Sequence, residues 1–303
     1  MLQHTAGARR IAHLSDIHLP ASGLDPSREG FPAAQLAHTL EHLQHDDRCD
    51  AIVVTGDITN FAGPLEYLEV RDSIEGIANT WGSPTVWAIG NNDNREVFSN
   101  TLLVNSTRLE GAPDAAATVT WVDGLRIIAL DVARTGEPNG HISYAQLYAL
   151  EAELAKPSRE GTILAMHRPV RDADADTHPT PLRSRFENAE ALVEVVQSSD
   201  VIGILTGYEH RPAASVVGGV LQWTGAGLSK TPEDHAHVGR VQFYRAPGYS
   251  IIEVANRSMR ASHAAIFDSE PIAEYDVSAL MGGLGVHEWP SPHNNRYRPR
   301  RLV

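Results

Sequence analysis

Short apolar runs alternate with helical patterns along the N-terminal part of the chain. Residues 10–14, Arg-Ile-Ala-His-Leu, read as a strand. Over 31–45, Leu36, Leu40 and Leu43 recur at helical spacing and predict a helix. Ala51–Thr55 is a continuous β-branched run, the pattern of a strand buried on both faces. Pro64 opens a second helix with Tyr67, Leu68 and Ile74 on one side. Residues 85–89 predict a third strand. This β-α-β-α-β order argues for a parallel or mixed sheet covered by helices.

Farther on, 118–122 and 125–130 are two alternating runs joined by Asp123-Gly124, a strong hairpin signal. Residues 144–155 place Leu147, Leu150 and Leu154 on one helical face. Runs at 162–166 and 201–205 predict short buried strands, with a helix over about 185–197 between them. After residue 210 the pattern turns to hairpins. Gly218-Gly219 joins two runs, and Asn256-Arg257 joins 250–254 to 259–266. No internal repeat is present. From residue 268 the composition shifts to Gly282-Gly283, several prolines and the cluster Arg296, Arg298, Arg300 and Arg301. One domain over 1–267 and a loosely ordered tail over 268–303 are expected.

Composition narrows the function classes. The chain has 303 residues, 42% hydrophobic and 21% charged, the balance of an ordinary globular protein. Its formal charge of −13 argues against a general nucleic-acid or membrane-surface binder, because such anionic surfaces repel it. The single cysteine, Cys49, excludes an internal disulfide framework and reads as core packing. No apolar run reaches the roughly 18 residues of a membrane span. The N-terminus lacks the apolar stretch of a signal peptide, so the cytoplasm is the expected compartment.

The chemistry sits where the predicted strands end. Asp16-Ile17-His18 follows the first, Gly56-Asp57 the second and Gly90-Asn91-Asn92-Asp93 the third. His167 follows 162–166, and Gly207-Tyr208-Glu209-His210 follows 201–205. In α/β sheets, sites form at the carboxyl ends of strands, so these groups converge on one rim. Carboxylate, imidazole and amide oxygen are donors for divalent Mn, Fe, Zn, Ni or Co. Without a cysteine among them, a thiolate zinc site is excluded. An Asp-x-His pair at a strand end puts both side chains on one face. The glycines before Asp57, Asn91 and Tyr208 let the backbone turn sharply.

The order Asp-x-His, Gly-Asp, Gly-Asn-x-Asp, His, Gly-x-x-His resembles the calcineurin-like metallophosphoesterases, over about residues 9–255. The phrases HLSDIHL, VVTGDI, DGLRIIALD and GTILAMHRP are similar to the bacterial class III cyclic nucleotide phosphodiesterase branch. The resemblance implies a four-layer α-β-β-α sandwich of two mixed sheets and a hydrolase of small phosphoesters such as cyclic nucleotides. It implies two divalent ions about 3.5–4 Å apart, with a water between them poised to attack phosphorus. Asp16, His18 and His210 would hold one ion, Asn91 and His167 the other, and Asp57 would bridge them. Asn92 and Asp93 fall in the family's catalytic motif. Homodimers are common in that branch, although no pattern in the chain encodes one.

Two positions depart from the family. Asn92 stands where a histidine is usual. It can donate a hydrogen bond to phosphate but cannot supply a proton near neutral pH. Tyr208 stands where the first histidine of Gly-His-x-His is usual, so the second ion loses an imidazole. A phenol ligates when ionised, and its ordinary pKa near 10 suits only a strongly acidic metal such as ferric iron. Glu209 is the other donor, but strand alternation turns it away from Tyr208 and His210. An intact first site and a weakened second one follow. The rival is a weak or inactive relative that binds one metal or a nucleotide as a sensor.

The remaining candidates have plainer readings. Arg168 and Arg171 either contact substrate phosphate or face solvent. Asp234-His235-Ala236-His237 reads as a loop, His13 as a packed strand residue, and His38, His42 and His45 as a solvated helix face.

Overall fold

The computed structural model describes residues 8–266 apart from 26–30, 47, 138, 172–184, 234–241 and 246. The tail over 268–303 and the segment Asp234-His235-Ala236-His237 lie outside the described residues.

In chain order, β1 (Arg9–Leu14) is followed by β2 (Leu19–Pro20), α1 (Pro32–His45), β3 (Ala51–Thr55) and β4 (Thr59–Asn60). Next come α2 (Pro64–Trp81), β5 (Thr85–Ala88) and α3 (Arg95–Leu102). The second half holds β6 (Thr118–Val122), β7 (Leu125–Ala129), β8 (Gly140–His141), α4 (Tyr144–Leu154) and β9 (Thr162–Ala165). It continues through β10 (Phe186–Glu187), α5 (Ala189–Gln197) and β11 (Val201–Thr206). Three hairpins follow: β12 (Ala213–Val217) with β13 (Val220–Thr224), β14 (Thr231–Glu233) with β15 (Gln242–Tyr244), and β16 (Gly248–Ala255) with β17 (Ser258–Ala265).

Two mixed sheets carry the fold. One has the order β17-β16-β1-β3-β5, the other β12-β13-β11-β9-β7-β6. β1, β3 and β5 are parallel in the first; β7, β9, β11 and β13 are parallel in the second. Strand alternation sorts their side chains into layers. On β3, Ile52 and Val54 pack with Leu36, Leu40, Tyr67 and Phe98 from α1, α2 and α3. Its Val53 points the other way, against Ile127, Ile163 and Leu205 of the second sheet. The far face of that sheet packs Ile128 and Leu164 on Leu150 of α4 and Leu192 of α5. This is the expected four-layer α-β-β-α arrangement, and Cys49 is core as expected.

The hairpins form where turn chemistry placed them. Asp123 and Gly124 both have positive φ, as do Gly218 and Gly219, and Asn256 and Arg257. Such turns match the right-handed twist of the flanking strands. Two helices differ from expectation, and the short strands β2, β4, β8, β10, β14 and β15 carried no signal in the sequence. α3 was not foreseen, because it buries only Phe98 and Leu102; the Asn94 side chain caps it by accepting from the Val97 amide. The helix expected over 185–197 starts at Ala189, since Phe186 and Glu187 pair instead with β8.

Arg126 on β7 is fully buried, yet its guanidinium is satisfied by Thr162 Oγ1 at 2.9 Å, Lys156 O at 2.9 Å and Asp200 Oδ1 at 2.9 Å. Removing one partner of such a network strands the others without water. Arg126→Ala should lower unfolding free energy by about 3–5 kcal/mol in urea titration and leave metal binding unchanged.

Candidate metal centre

The carboxyl ends of β1, β3 and β5 meet those of β9 and β11, so the site straddles both sheets. The loops are tied together through the backbone. Asp16 N donates to Gly56 O at 3.1 Å, His18 N to Asp57 O at 2.9 Å, and Gly207 N to His167 O at 3.0 Å. Tyr208 N donates to Asp16 Oδ2 at 3.0 Å, which joins the two sheets directly at the site.

Asp16 and His18 lie past the end of β1, so strand alternation does not orient them. Their φ values are +55° and +54°, and Asp57, Tyr208 and His210 are also left-handed at +50°, +72° and +59°. A non-glycine residue held there costs on the order of 1–3 kcal/mol. Five of them around one point mark a site that the surrounding fold must hold open against strain. The glycines also differ from expectation. Of the three singled out, only Gly56 has positive φ, at +88°. Gly90 and Gly207 are needed for close approach. A Cβ on Gly90 would lie 2.1 Å from Asp57 Oδ1, and one on Gly207 would lie 1.9 Å from Ser15 Oγ.

Three histidines face inward in one tautomer. His18 Nδ1 bonds Asn60 Oδ1 at 2.7 Å, His167 Nδ1 bonds Thr55 O at 2.8 Å, and His210 Nδ1 bonds Lys230 O at 2.8 Å. Each acceptor claims the Nδ1 proton, so each Nε2 turns a lone pair to the centre. His18 Nε2 and His210 Nε2 are 3.1 Å apart, and Asp16 Oδ1 is 3.4 Å from His210 Nε2. His167 Nε2 is 3.2 Å from Asn91 Oδ1 and 3.4 Å from Asp57 Oδ2. Acceptors that close repel unless a cation or a proton lies among them. The donor chemistry therefore fits metal ions, in two groups: Asp16, His18 and His210; and Asp16, Asp57 and His167. Both carboxylates sit between the groups. Asp57 Oδ2 is 3.5 Å from His18 Nε2 as well, the position expected of a bridge.

The electrostatics agree. Burial would raise the Asp57 pKa, but the His167 and His18 imidazoles and the Asn92 amide hold it well below the usual carboxylate range. Burial works to lower His167, and the Asp57 carboxylate beside it raises it overall. For His210, burial wins over Asp16 and the pKa falls.

The two motif residues expected to be catalytic differ in placement: Asn92 reaches the donor cluster and Asp93 lies beneath it. Asn92 gives its side-chain amide to Asp57 Oδ2 at 2.7 Å and its backbone N–H to Asp57 Oδ1 at 2.8 Å. Asp93 is buried and accepts from Ile58 N, Thr59 N, Gly90 N and the Tyr67 hydroxyl. Burial and the nearby Asp57 charge push its pKa up to about 6. It organises the loops. The Tyr208 ring lies edge-on to His167 at 5.7 Å, with the Arg168 guanidinium 3.3 Å above its face. Arg168 is fully buried and gives Nη2 to Glu137 O at 2.7 Å, while its Nε and Nη1 have no hydrogen-bond partner. Arg171 is exposed, as are His42 and His45.

Sequence reasoning missed the groups that orient the ligands. Asn60 carried no motif, and the Thr55 and Lys230 acceptors are backbone carbonyls, which have no side-chain signature.

The profile of the family described as calcineurin-like phosphoesterase matches residues 9–212. The chain belongs to the calcineurin-like phosphoesterase family. It is accordingly a metal-dependent phosphoester hydrolase. Among relatives of this phosphoesterase is a Rhodococcus erythropolis protein named "Probable cyclic nucleotide phosphodiesterase", 32% identical over 76% of this chain and 74% of its own length. Another is a Mycobacterium tuberculosis cAMP/cGMP dual specificity phosphodiesterase, 37% identical over 66% of this chain and 61% of its own. The fold is shared with a dimetal phosphatase from Danio rerio, at a TM-score of 0.57 and 18% identity, over 84% of this chain and 98% of that one. No helix among the described residues is long and apolar enough to cross a membrane.

Asp57 touches both donor groups. Asp57→Asn should weaken both ions at once in a calorimetric Mn(II) titration, by at least the roughly 10-fold typical of losing even an outer partner. Unchanged affinity at either ion would remove Asp57 from its bridging role.

Proposed function

We propose that this phosphoesterase is a phosphodiesterase acting on a cyclic nucleotide or a similarly small phosphodiester. The observation that carries the reading is the pair of fused donor groups, with three imidazoles fixed in the metal-binding tautomer. The names of the relatives supply the substrate class. Asp16, His18 and His210 hold the tighter ion, and Asn91 and His167 the weaker one, with Asp57 between them. When bound, such ions supply positive charge to phosphate oxygens and lower the pKa of water to near neutral.

The chain's own residues set the rest. Asn92 fixes the bridging carboxylate and leaves no side chain in its motif to protonate a leaving group. Without an acid there, an activated diester such as bis-p-nitrophenyl phosphate should turn over faster than a cyclic nucleotide, whose leaving oxygen is a sugar alkoxide. Tyr208 offers a phenol where an imidazole would complete the second donor set, and the Arg168 cation stacked on it opposes a further cation there. The same buried guanidinium, with two nitrogens lacking a hydrogen-bond partner, suits a phosphate oxygen. A substrate of this charge does not cross membranes unaided, which fits the cytoplasmic location expected from the sequence. The homodimer common in the branch it resembles is part of the same reading, and sedimentation tests it.

Purified full-length protein should hydrolyse bis-p-nitrophenyl phosphate and cAMP with added Mn(II) or Fe(II), and chelation should abolish both activities. Metal analysis should give one ion that survives dialysis and a second that needs free metal. Tyr208→His should tighten the second ion by at least about 10-fold. No hydrolysis with any divalent ion would defeat the enzyme reading, and equal affinity for both ions in the wild type would defeat the unequal sites.

A further inference from the structure

A chain of hydrogen bonds runs from the interior to Asp16. His13 on β1 is buried, in register with Ser250 of β16. Its Nε2 lies 2.8 Å from Thr55 Oγ1 at the end of β3. Thr55 Oγ1 donates to Ser15 Oγ at 2.9 Å, and Ser15 Oγ donates to Asp16 Oδ2 at 2.6 Å. All four residues are buried.

The direction of this chain is fixed from its far end. As a metal ligand Asp16 is a carboxylate, and a carboxylate only accepts, so Ser15 gives its single proton to it. Ser15 Oγ must then accept from Thr55. Thr55, its own proton given, must accept from His13. That requires the Nε2–H tautomer of His13 and leaves Nδ1 bare. Nδ1 is indeed the ring nitrogen without a hydrogen-bond partner. The competing acceptors, Thr55 O for Ser15 at 3.4 Å and Leu14 O for Thr55 at 3.5 Å, are much longer. Burial also keeps the ring neutral, against the pull of Asp16, with a pKa lowered to about 4.

We propose that His13, Thr55 and Ser15 are positioning residues for the tighter metal ion, acting through Asp16. The chain pins Asp16 Oδ2, with help from Tyr208 N, so that Oδ1 faces His18 and His210. Packing alone does not account for it. The strand neighbours Ile11, Val53 and Val86 fill the same inter-sheet layer with hydrocarbon, whereas these three residues bring two hydroxyls and an imidazole into it. Thr55 joins the two donor groups: its hydroxyl leads to Asp16, and its carbonyl fixes His167.

This inference rests on the assignment of Asp16 to the tighter ion, and the test separates the two. Mn(II) affinity is measured by calorimetry on the full chain. Thr55→Val removes the hydroxyl and keeps both the shape and the carbonyl that holds His167. Thr55→Val and Ser15→Ala should each weaken the tighter ion by about 10–100-fold. The double variant should be no weaker than Ser15→Ala alone, because the residues act as one chain. Thr55→Ser keeps the hydroxyl and should restore near-wild-type affinity. A purely structural role would lower the melting temperature and leave affinity within about twofold, which would overturn the proposal, as would failure of the serine rescue. A wild-type chain that binds no divalent ion would overturn the metal assignment itself, and the positioning role with it.

Discussion

Everything at the site follows from acceptors crowded together. Two carboxylates, three imidazole lone pairs and an amide oxygen face one another at 3.1–3.5 Å. In a buried setting this repulsion is large, and only positive charge relieves it. A proton does so in part, which is why His167 is raised although burial works against it. Divalent ions do so fully. Fold and cofactor are thus linked: the loops can keep this geometry because a cation stabilises it.

The sandwich explains how such a cluster is assembled. Each donor group draws on both sheets, with Asp16, His18 and Asp57 from the first and His167 and His210 from the second. The inter-sheet layer of Ile127, Ile163, Leu205 and Val53 holds the two rims in register, and Tyr208 N on Asp16 closes the gap. Left-handed backbone at five positions then turns the side chains inward, away from the directions a strand would give. That strain is affordable only on a rigid double sheet.

How much of this the sequence revealed depends on where the information resides. Strand and helix positions were legible because apolar period reports burial directly. The ligand set was legible because each member follows a buried run and the order resembles a family. The geometry was not. Alternation predicted a shared face for Asp16 and His18, and the structure reaches convergence through left-handed turns instead. α3 escaped notice because two buried residues make no period. Asn92 and Asp93 were singled out by motif, and no spacing rule encodes their hydrogen bonds to Asp57 and to the loop amides. His13 read as packing because its role depends on Thr55, forty-two positions away in the chain.

The two halves of the centre are therefore unequal in kind. Around Asp16, His18 and His210, every ligand has a partner that fixes it: Ser15 and Tyr208 N on the carboxylate, Asn60 on one imidazole, Lys230 O on the other. Beside His167 stands the Tyr208 phenol, with a guanidinium on its face. Fixed positive charge there competes with an incoming cation and attracts an anion. On the proposed reading, the Tyr208 phenol and the buried Arg168 cation suit that half of the site to an anion more than to a second metal ion, which is how a chain of net charge −13 would accept a phosphate.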